Sequence, residues 1–305
     1  MTKFFLIIFT AIGLITCSPD AEKEVTAVEE EQTDKNPDSP ANKVQLKILN
    51  YNVRTEIPLM TKNPDAWVQK IVDAIVDFDP DIVGLVEVEE AIEGIENIPA
   101  EIEARLNKAG FDHYSHYEVR FDQVSYDGNL GMMLISKVPI KDYLGYRPQY
   151  IQNSQTRDKD LIQSFTYEKD DLAFRFFNYH PHPGPTAEES VQFLLDHVNS
   201  STDLGLKFVS GDFNQRLDSP YMKEFLDLYR NTCDESNDKS CRYTYDRTLT
   251  NNNPPALGEA IDHIMINKDS PIEVKVVRIH SDHNANKEVP VSDHFPIYGT
   301  FEVLF

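Results

Sequence analysis

The stretch Val209-Ser210-Gly211-Asp212-Phe213-Asn214 sets a carboxylate and a carboxamide two residues apart at the end of an apolar run that begins at Leu206. In an extended chain residues i and i+2 share a face, so Asp212 and Asn214 point one way and Phe213 the other. An acceptor and a donor side by side on a rigid strand end can orient a water against an electrophile such as phosphorus and hold one of its oxygens. The same residues can also be a strand leading into an Asx turn. Recurrence separates the two readings. Polar side chains also close apolar runs at Asn52, Glu87, His180 and Asp262, and strand ends can converge on one rim.

The elements that must carry these groups follow from periodicity. Residues 44–52 alternate apolar and polar, a half-buried strand. Residues 64–78 carry a helical stripe of Trp67, Ile71, Ala74, Ile75 and Phe78, with Pro64 suited to the first turn and Pro80 blocking continuation. Residues 81–87 are almost continuously apolar and read as a central strand ending at Glu87. A second helix spans 99–109 and closes at Gly110. Strands follow at 129–136, 161–167 and 172–179, the last two a hairpin across Lys169-Asp170-Asp171. A helix over 186–198 precedes the strand to Asp212, and another helix lies around 221–229. Strands over 260–266, 273–279 and 295–305 complete the chain. This order predicts an α+β fold, two mixed sheets face to face with helices outside.

The chain has 305 residues, 40% of them hydrophobic, enough for a large core. Its formal charge is -22, from 51 acids against 29 bases, a poor footprint for gripping nucleic acid through a basic face. A bound cation can supply the missing positive charge locally. Lys3 precedes an apolar run over residues 4–15, broken only by Thr10 and Gly13. It is shorter than the roughly 20 residues a membrane helix needs and fits a signal-peptide core. Leu14-Ile15-Thr16-Cys17 resembles the lipobox of bacterial lipoproteins, with Thr16 where a smaller residue is usual. The expected organisation is a signal peptide over 1–16, an acidic disordered linker over 17–43 anchored through a lipid on Cys17, and a folded domain over 44–305. That implies a cell-envelope lipoprotein, or otherwise a secreted protein. Cys233 and Cys241 can form one bridge in such a compartment, a small metal site being the other reading.

Five segments together resemble the successive motifs of the endonuclease/exonuclease/phosphatase superfamily. They are Asn50-Tyr51-Asn52, Gly84-Leu85-Val86-Glu87-Val88, Asn178-Tyr179-His180, Gly211-Asp212-Phe213-Asn214, and Ile261-Asp262-His263-Ile264 followed by Ser292-Asp293-His294-Phe295-Pro296-Ile297. The resemblance spans residues 44–305 and implies a four-layer α/β/β/α sandwich. It implies a metal-dependent phosphoesterase, nuclease-like as that activity is widespread in the family. A phospholipid or sphingomyelin-type phosphodiesterase and an inositol-phosphate phosphatase are alternatives. A non-catalytic binding lipoprotein on the same fold is the alternative of another class, opposed by the intact set Asn52, Glu87, Asp212, Asn214, Asp262 and His294.

By this resemblance Glu87 is the main ligand of Mg²⁺, or of Mn²⁺ or Ca²⁺. Its carboxylate is the hard oxygen donor such ions take. Asn52 assists, and Asp293 is a further metal or supporting group. Asp262 orients His294, which takes a proton from water. Asp212 and Asn214 orient that water and a phosphate oxygen, and His180 bonds a phosphate oxygen or helps the leaving group. Ser281-Asp282-His283 imitates Ser292-Asp293-His294, but His283 leads into a polar loop and His294 into the closing strand. Two departures weaken DNA as the specific substrate. No acid around residues 127–131 aligns with the one the deoxyribonuclease branch pairs with its histidine, and Val86 stands where Gln commonly precedes Glu87. Scattered arginines (Arg54, Arg120, Arg147, Arg157, Arg216) are candidate nucleic-acid contacts, and the aromatic segment 143–150 is a candidate membrane contact or an edge strand.

Overall fold

The computed structural model describes residues 42–53, 62–125, 128–147, 149–152, 155–158, 160–181, 187–201, 204–246, 259–283 and 291–305, apart from the side chains of 120–129, 149–161 and 187. The expected signal peptide, Cys17, nearly all of the linker, Arg54 and Asp127 lie outside these residues, as do the side chains of Arg120 and Arg157.

The strands are β1 (Lys43–Asn52), β2 (Ile82–Glu89), β3 (Tyr114–Ser125), β4 (Gly128–Ser136), β5 (Lys141–Tyr146), β6 (Gln149–Gln152), β7 (Gln155–Asp158), β8 (Asp160–Lys169), β9 (Leu172–Pro181), β10 (Lys207–Asp212), β11 (Tyr229–Asn231), β12 (Asp262–Asn267), β13 (Glu273–Ser281) and β14 (Ile297–Leu304). The helices are α1 (Pro64–Phe78), α2 (Ile98–Lys108), α3 (Ala187–Ser200), α4 (Lys223–Leu228) and α5 (Thr232–Glu235). One six-stranded sheet runs β13-β14-β1-β2-β4-β3, the other β11-β12-β10-β9-β8-β5. Both are mixed: β1 and β2 pair parallel in the first, β9 and β10 in the second.

Three apolar clusters hold the layers. Trp67, Val68, Ile71, Val72 and Ile75 of α1 pack on Leu49, Tyr51, Val83 and Leu85, the outer face of the first sheet. Leu46, Ile48, Phe174, Phe176, Phe208, Ile264, Ile266 and Phe301 fill the space between the sheets. Val191, Leu194, Leu195 and Val198 of α3 cover Phe177, Tyr179 and Val209 on the far side. The result is the expected α/β/β/α sandwich. Local chemistry starts the helices where they are needed. Asn63 accepts the Ala66 N–H at 3.2 Å ahead of Pro64, and Asn97 accepts the Ala100 N–H at 3.0 Å ahead of α2. Left-handed Asp79 (φ 53°), followed by Pro80, stops α1.

Two differences from the expected elements bear on the site. β2 does not end at Glu87 but continues to Glu89 through a register shift between Val86 and Val88. β3, which the apolar pattern did not mark, forms an edge of the first sheet, where a half-wet strand has weak patterning. Of segment 143–150, residues 143–146 lie in β5, an edge strand of the second sheet, and residues 149–150 in β6. Cys233 and Cys241 are joined by a disulfide with a Cα–Cα separation of 5.9 Å. Among the described residues no helix is long and apolar enough to cross a membrane.

Candidate active site

The inner faces of the two sheets change character toward one end, and the period of two delivers the polar groups there. Along β1, Leu46 and Ile48 lie in the inter-sheet core, and the next residues on that face are Asn50 and Asn52. On β9 the sequence is Phe174, Phe176, then Asn178 and His180; on β10 it is Phe208, then Ser210 and Asp212. β12 runs antiparallel to β10, so its Ile266 and Ile264 lead back to Asp262, directly opposite Asp212. Apolar packing thus gives way to an amide and hydroxyl layer, and that layer to Asn52, His180, Asp212 and Asp262. All four are almost fully buried.

Glu87 reaches the same rim by another device. Strict alternation would turn it outward with Val83 and Leu85, under α1. Instead Glu87 adopts φ 57° and is skipped in the β2–β4 register, a bulge that re-aims its carboxylate. Its Oε1 lies 3.1 Å from His180 Nε2, and Asp212 Oδ2 lies 3.5 Å from the same nitrogen. At the end of β10 the chain turns sharply. Gly211 has φ 151°, and a Cβ there would meet the Tyr179 carbonyl oxygen at 1.9 Å, so only glycine fits. Asn214 follows at φ 51°, its N–H donating to Asp212 Oδ1 at 2.7 Å and its Nδ2 lying 3.4 Å from His180 Nε2. The expected face-sharing of Asp212 and Asn214 is therefore replaced by a turn, yet both remain beside His180.

His294 enters from the segment before β14. Its Nδ1 lies 2.8 Å from Asp262 Oδ2. Its Nε2 lies 3.4 Å from Asn52 Nδ2, 3.8 Å from Asp212 Oδ2 and 4.0 Å from Asp293 Oδ1. Asn52 Nδ2 also donates to Asp212 Oδ2 at 3.0 Å, so the amide nitrogen rather than the oxygen faces that carboxylate. His283 joins neither group: its Nε2 lies 2.9 Å from the Tyr243 carbonyl oxygen. Sequence reasoning missed Tyr245, whose ring sits 4.7 Å from the His294 ring and whose backbone bridges that of His294. Its position in a polar loop gave no pattern that could mark it. Two of the arginine candidates are committed to acids, Arg147 to Glu118 (2.8 Å) and Arg216 to Asp218 (2.8 Å).

Charge is crowded here. Burial, with the charges of Glu87 and Asp212, lifts Asp293 to about 6 against the His294 attraction. Burial also raises Asp262, helped by the neighbouring Asp212. In Asp212 burial acts upward but is outweighed by His294, His180 and the Asn214 N–H, which hold the carboxyl below its usual value. Burial would depress His294, yet Asp262 and Asp212 overcome it and raise the imidazole. The donor atoms of Glu87, His180 and Asp212 all lie within 4.8 Å of one another, as do those of Asp212, Asp262 and His294. Carboxylate oxygens with an imidazole, crowded by like charge, fit a hard divalent cation.

The Endonuclease/Exonuclease/phosphatase family model matches residues 49–294, from β1 to His294 itself. The chain belongs to this family. Solved structures share the fold. A family protein from Leptotrichia buccalis superposes with a TM-score of 0.66 at 21% identity, over 84% of this chain and 99% of that one. The family member from Bacteroides vulgatus gives 0.64 at 16% identity, over 85% and 98%. D. rerio TDP2 in complex with a single-strand DNA product gives 0.58 at 17%, over 84% and 98%. At such identities the likeness is one of fold. No curated protein matches the chain.

Proposed function

We propose that this chain is a divalent-metal-dependent hydrolase of phosphate esters, acting as a nuclease-like phosphodiesterase. The observation that carries the reading is that Asp212 belongs to both clusters, Glu87–His180–Asp212 and Asp212–Asp262–His294. A water lying against Asp212 would face a cation-holding set on one side and an imidazole on the other.

Glu87 and Asp212, with Asn52 and Asp293 near them, would hold Mg²⁺ or a similar ion. When bound, such an ion supplies neutralisation of the charge that grows on the phosphate and leaving oxygens. Asp262 accepts the Nδ1–H of His294, which leaves the Nε2 lone pair toward Asn52 and Asp212. A bound cation would neutralise Asp212, one of the charges that raise the imidazole; the neutral tautomer would then take a proton from the attacking water, and Asp262 would stabilise the imidazolium formed. The Asn214 amide and His180 Nε2 are donors for phosphate oxygens, and Asp212 orients the water.

The description of the D. rerio relative, a complex with a single-strand DNA product, supports a nucleic-acid ester as substrate. The net charge of -22 and the pairing of Arg147 and Arg216 favour a single strand or a small ester over a duplex held by a basic face. The test is hydrolysis of single-stranded DNA, duplex plasmid, RNA, sphingomyelin, an inositol phosphate and an activated phosphodiester, each with Mg²⁺ and with EDTA. Cleavage of a diester that EDTA abolishes is expected. Undiminished turnover in EDTA would sink the metal role, and cleavage of sphingomyelin alone would replace the nuclease reading. The lipid anchor on Cys17 rests on sequence. Cys17→Ser is expected to release active protein from the membrane fraction, and retention would overturn it.

A further inference from the structure

Asp262 and His294 belong to different sheets. Asp262 opens β12 of the second, and His294 precedes β14 of the first. Something must hold the two approaches in register, and one short segment bonds to both. On the β12 side, the Thr244 and Tyr245 N–H groups both donate to the Glu259 carbonyl at 3.1 Å. Thr244 Oγ1 accepts two further amides, Ile261 N–H and Asp262 N–H, each at 3.1 Å. On the other side, the Thr244 carbonyl accepts the Phe295 N–H at 2.8 Å, and the Asp246 N–H donates to the Asp293 carbonyl at 2.9 Å. Between these, the Tyr245 ring lies 4.7 Å from the imidazole. Thr244 itself is fully buried.

We infer that Thr244 is a positioning residue for the Asp262–His294 pair, an inference that rests on the phosphoesterase reading. Its backbone fixes the residue after His294, and its hydroxyl fixes the amide of Asp262. The Nδ1 to Oδ2 separation of 2.8 Å therefore depends on one side chain that touches neither substrate nor the reacting atoms. The hydroxyl is the required part. Valine has the same shape but would leave two buried amides without an acceptor, and the strand end would move to find one. Displacements of about 1 Å in catalytic groups cost on the order of 10²-fold in rate.

The experiment compares wild type, Thr244→Val and Thr244→Ser in the full chain, with folding checked by circular dichroism. On the activated diester at saturating Mg²⁺, Thr244→Val is expected to lower kcat about 10- to 100-fold with KM nearly unchanged. Thr244→Ser, which keeps the oxygen, should restore kcat to within a few-fold of wild type. Independently of turnover, proton NMR should show the downfield His294 Nδ1 proton in wild type and Thr244→Ser, and lose or shift it in Thr244→Val. Amide exchange at Ile261 and Asp262 should quicken in Thr244→Val alone. If Thr244→Val does not fold, Thr244→Ala, which also removes the hydroxyl, is compared with Thr244→Ser through the same amide-exchange and Nδ1 readouts. An unchanged Nδ1 signal with unchanged amide exchange overturns the inference. So does a kcat at the wild-type level in Thr244→Val. A wild type that cleaves no ester would instead overturn the phosphoesterase reading, and the NMR and exchange results would still decide the role of Thr244.

Discussion

Glu87 Oε1 lies 3.1 Å from His180 Nε2 although the two residues come from different sheets, β2 and β9. The candidate cation site therefore straddles the seam of the sandwich, and a bound ion would clamp its two halves together. Mg²⁺ should raise the melting temperature of the wild type, since a ligand at a hundredfold its Kd stabilises by about 2.7 kcal/mol. Glu87→Gln keeps the shape and removes the charge. Its melting temperature in EDTA should match or exceed the wild type, because a partly buried like-charge neighbour of Asp293 is gone. It should lose the Mg²⁺ shift and most of its turnover. Scanning fluorimetry with Mg²⁺ and with EDTA reads this, and an equal Mg²⁺ shift in Glu87→Gln would remove Glu87 from the site.

Only one of the two Ser-Asp-His copies reaches Asp262. Removing one general acid–base group costs about 10²- to 10⁴-fold. His294→Ala should fall by at least that order, Asp262→Asn should fall heavily, and the double variant should be little worse than His294→Ala. His283→Ala should stay within a few-fold of wild type, since its ring bonds only the Tyr243 carbonyl among the described contacts to oxygen or nitrogen. Steady-state rates at saturating Mg²⁺ check this. A dead His283→Ala beside an active His294→Ala would reverse the assignment.

Gly84 of β2 lies against Asn178 of β9 across the two sheets beneath the rim. A Cβ there would meet Asn178 Oδ1 at 2.6 Å and its Cγ at 3.0 Å. Asn178 has little freedom to yield, because its Nδ2 donates to the Leu85 carbonyl and to Gln163 Oε1. Gly84→Ala should therefore destabilise by about 1–3 kcal/mol, as overpacking does. Urea unfolding measures it. A loss below about 0.5 kcal/mol would mean that the sheets separate more easily than the packing implies.

His263 stands behind the site, buried, with Nε2 3.0 Å from the Gln215 carbonyl. Burial depresses its pKa to about 4 against the opposing pull of that carbonyl. Below its unfolded value of about 6.5 the unfolded chain takes up a proton that the native state refuses. The stabilisation is complete above that pH and lost as pH falls toward about 4, up to about 3 kcal/mol in all. Asp262 and Asp293, raised by burial, titrate with the opposite sign, but they do so equally in a variant. The stability of wild type relative to His263→Phe should thus fall as pH falls from 6.5 to 4. A difference independent of pH would show that His263 takes up its proton as readily in the folded protein as in the unfolded chain.

Much of this arrangement is determined by the sequence alone. The alternation Leu46, Ile48, Asn50, Asn52 and the run Phe174, Phe176, Asn178, His180 already carry the site, because period two keeps every second residue of a strand on one face. The two-sheet sandwich follows from the same patterning, and the choice of His294 over His283 from the strand that follows it. The placement of Glu87 was decided elsewhere. Its rank on β2 puts it under α1, and only a bulge, a matter of how β2 pairs with β4, turns it to the rim. Asn214 likewise depends on a turn in which it takes a left-handed φ of 51° itself. Thr244 and Tyr245 left no trace in the pattern, since a loop residue has no period and its worth lies in the two strands it joins. Local patterning is a one-dimensional property of the chain, whereas pairing register, bulges and cross-sheet bonds exist only once distant segments meet.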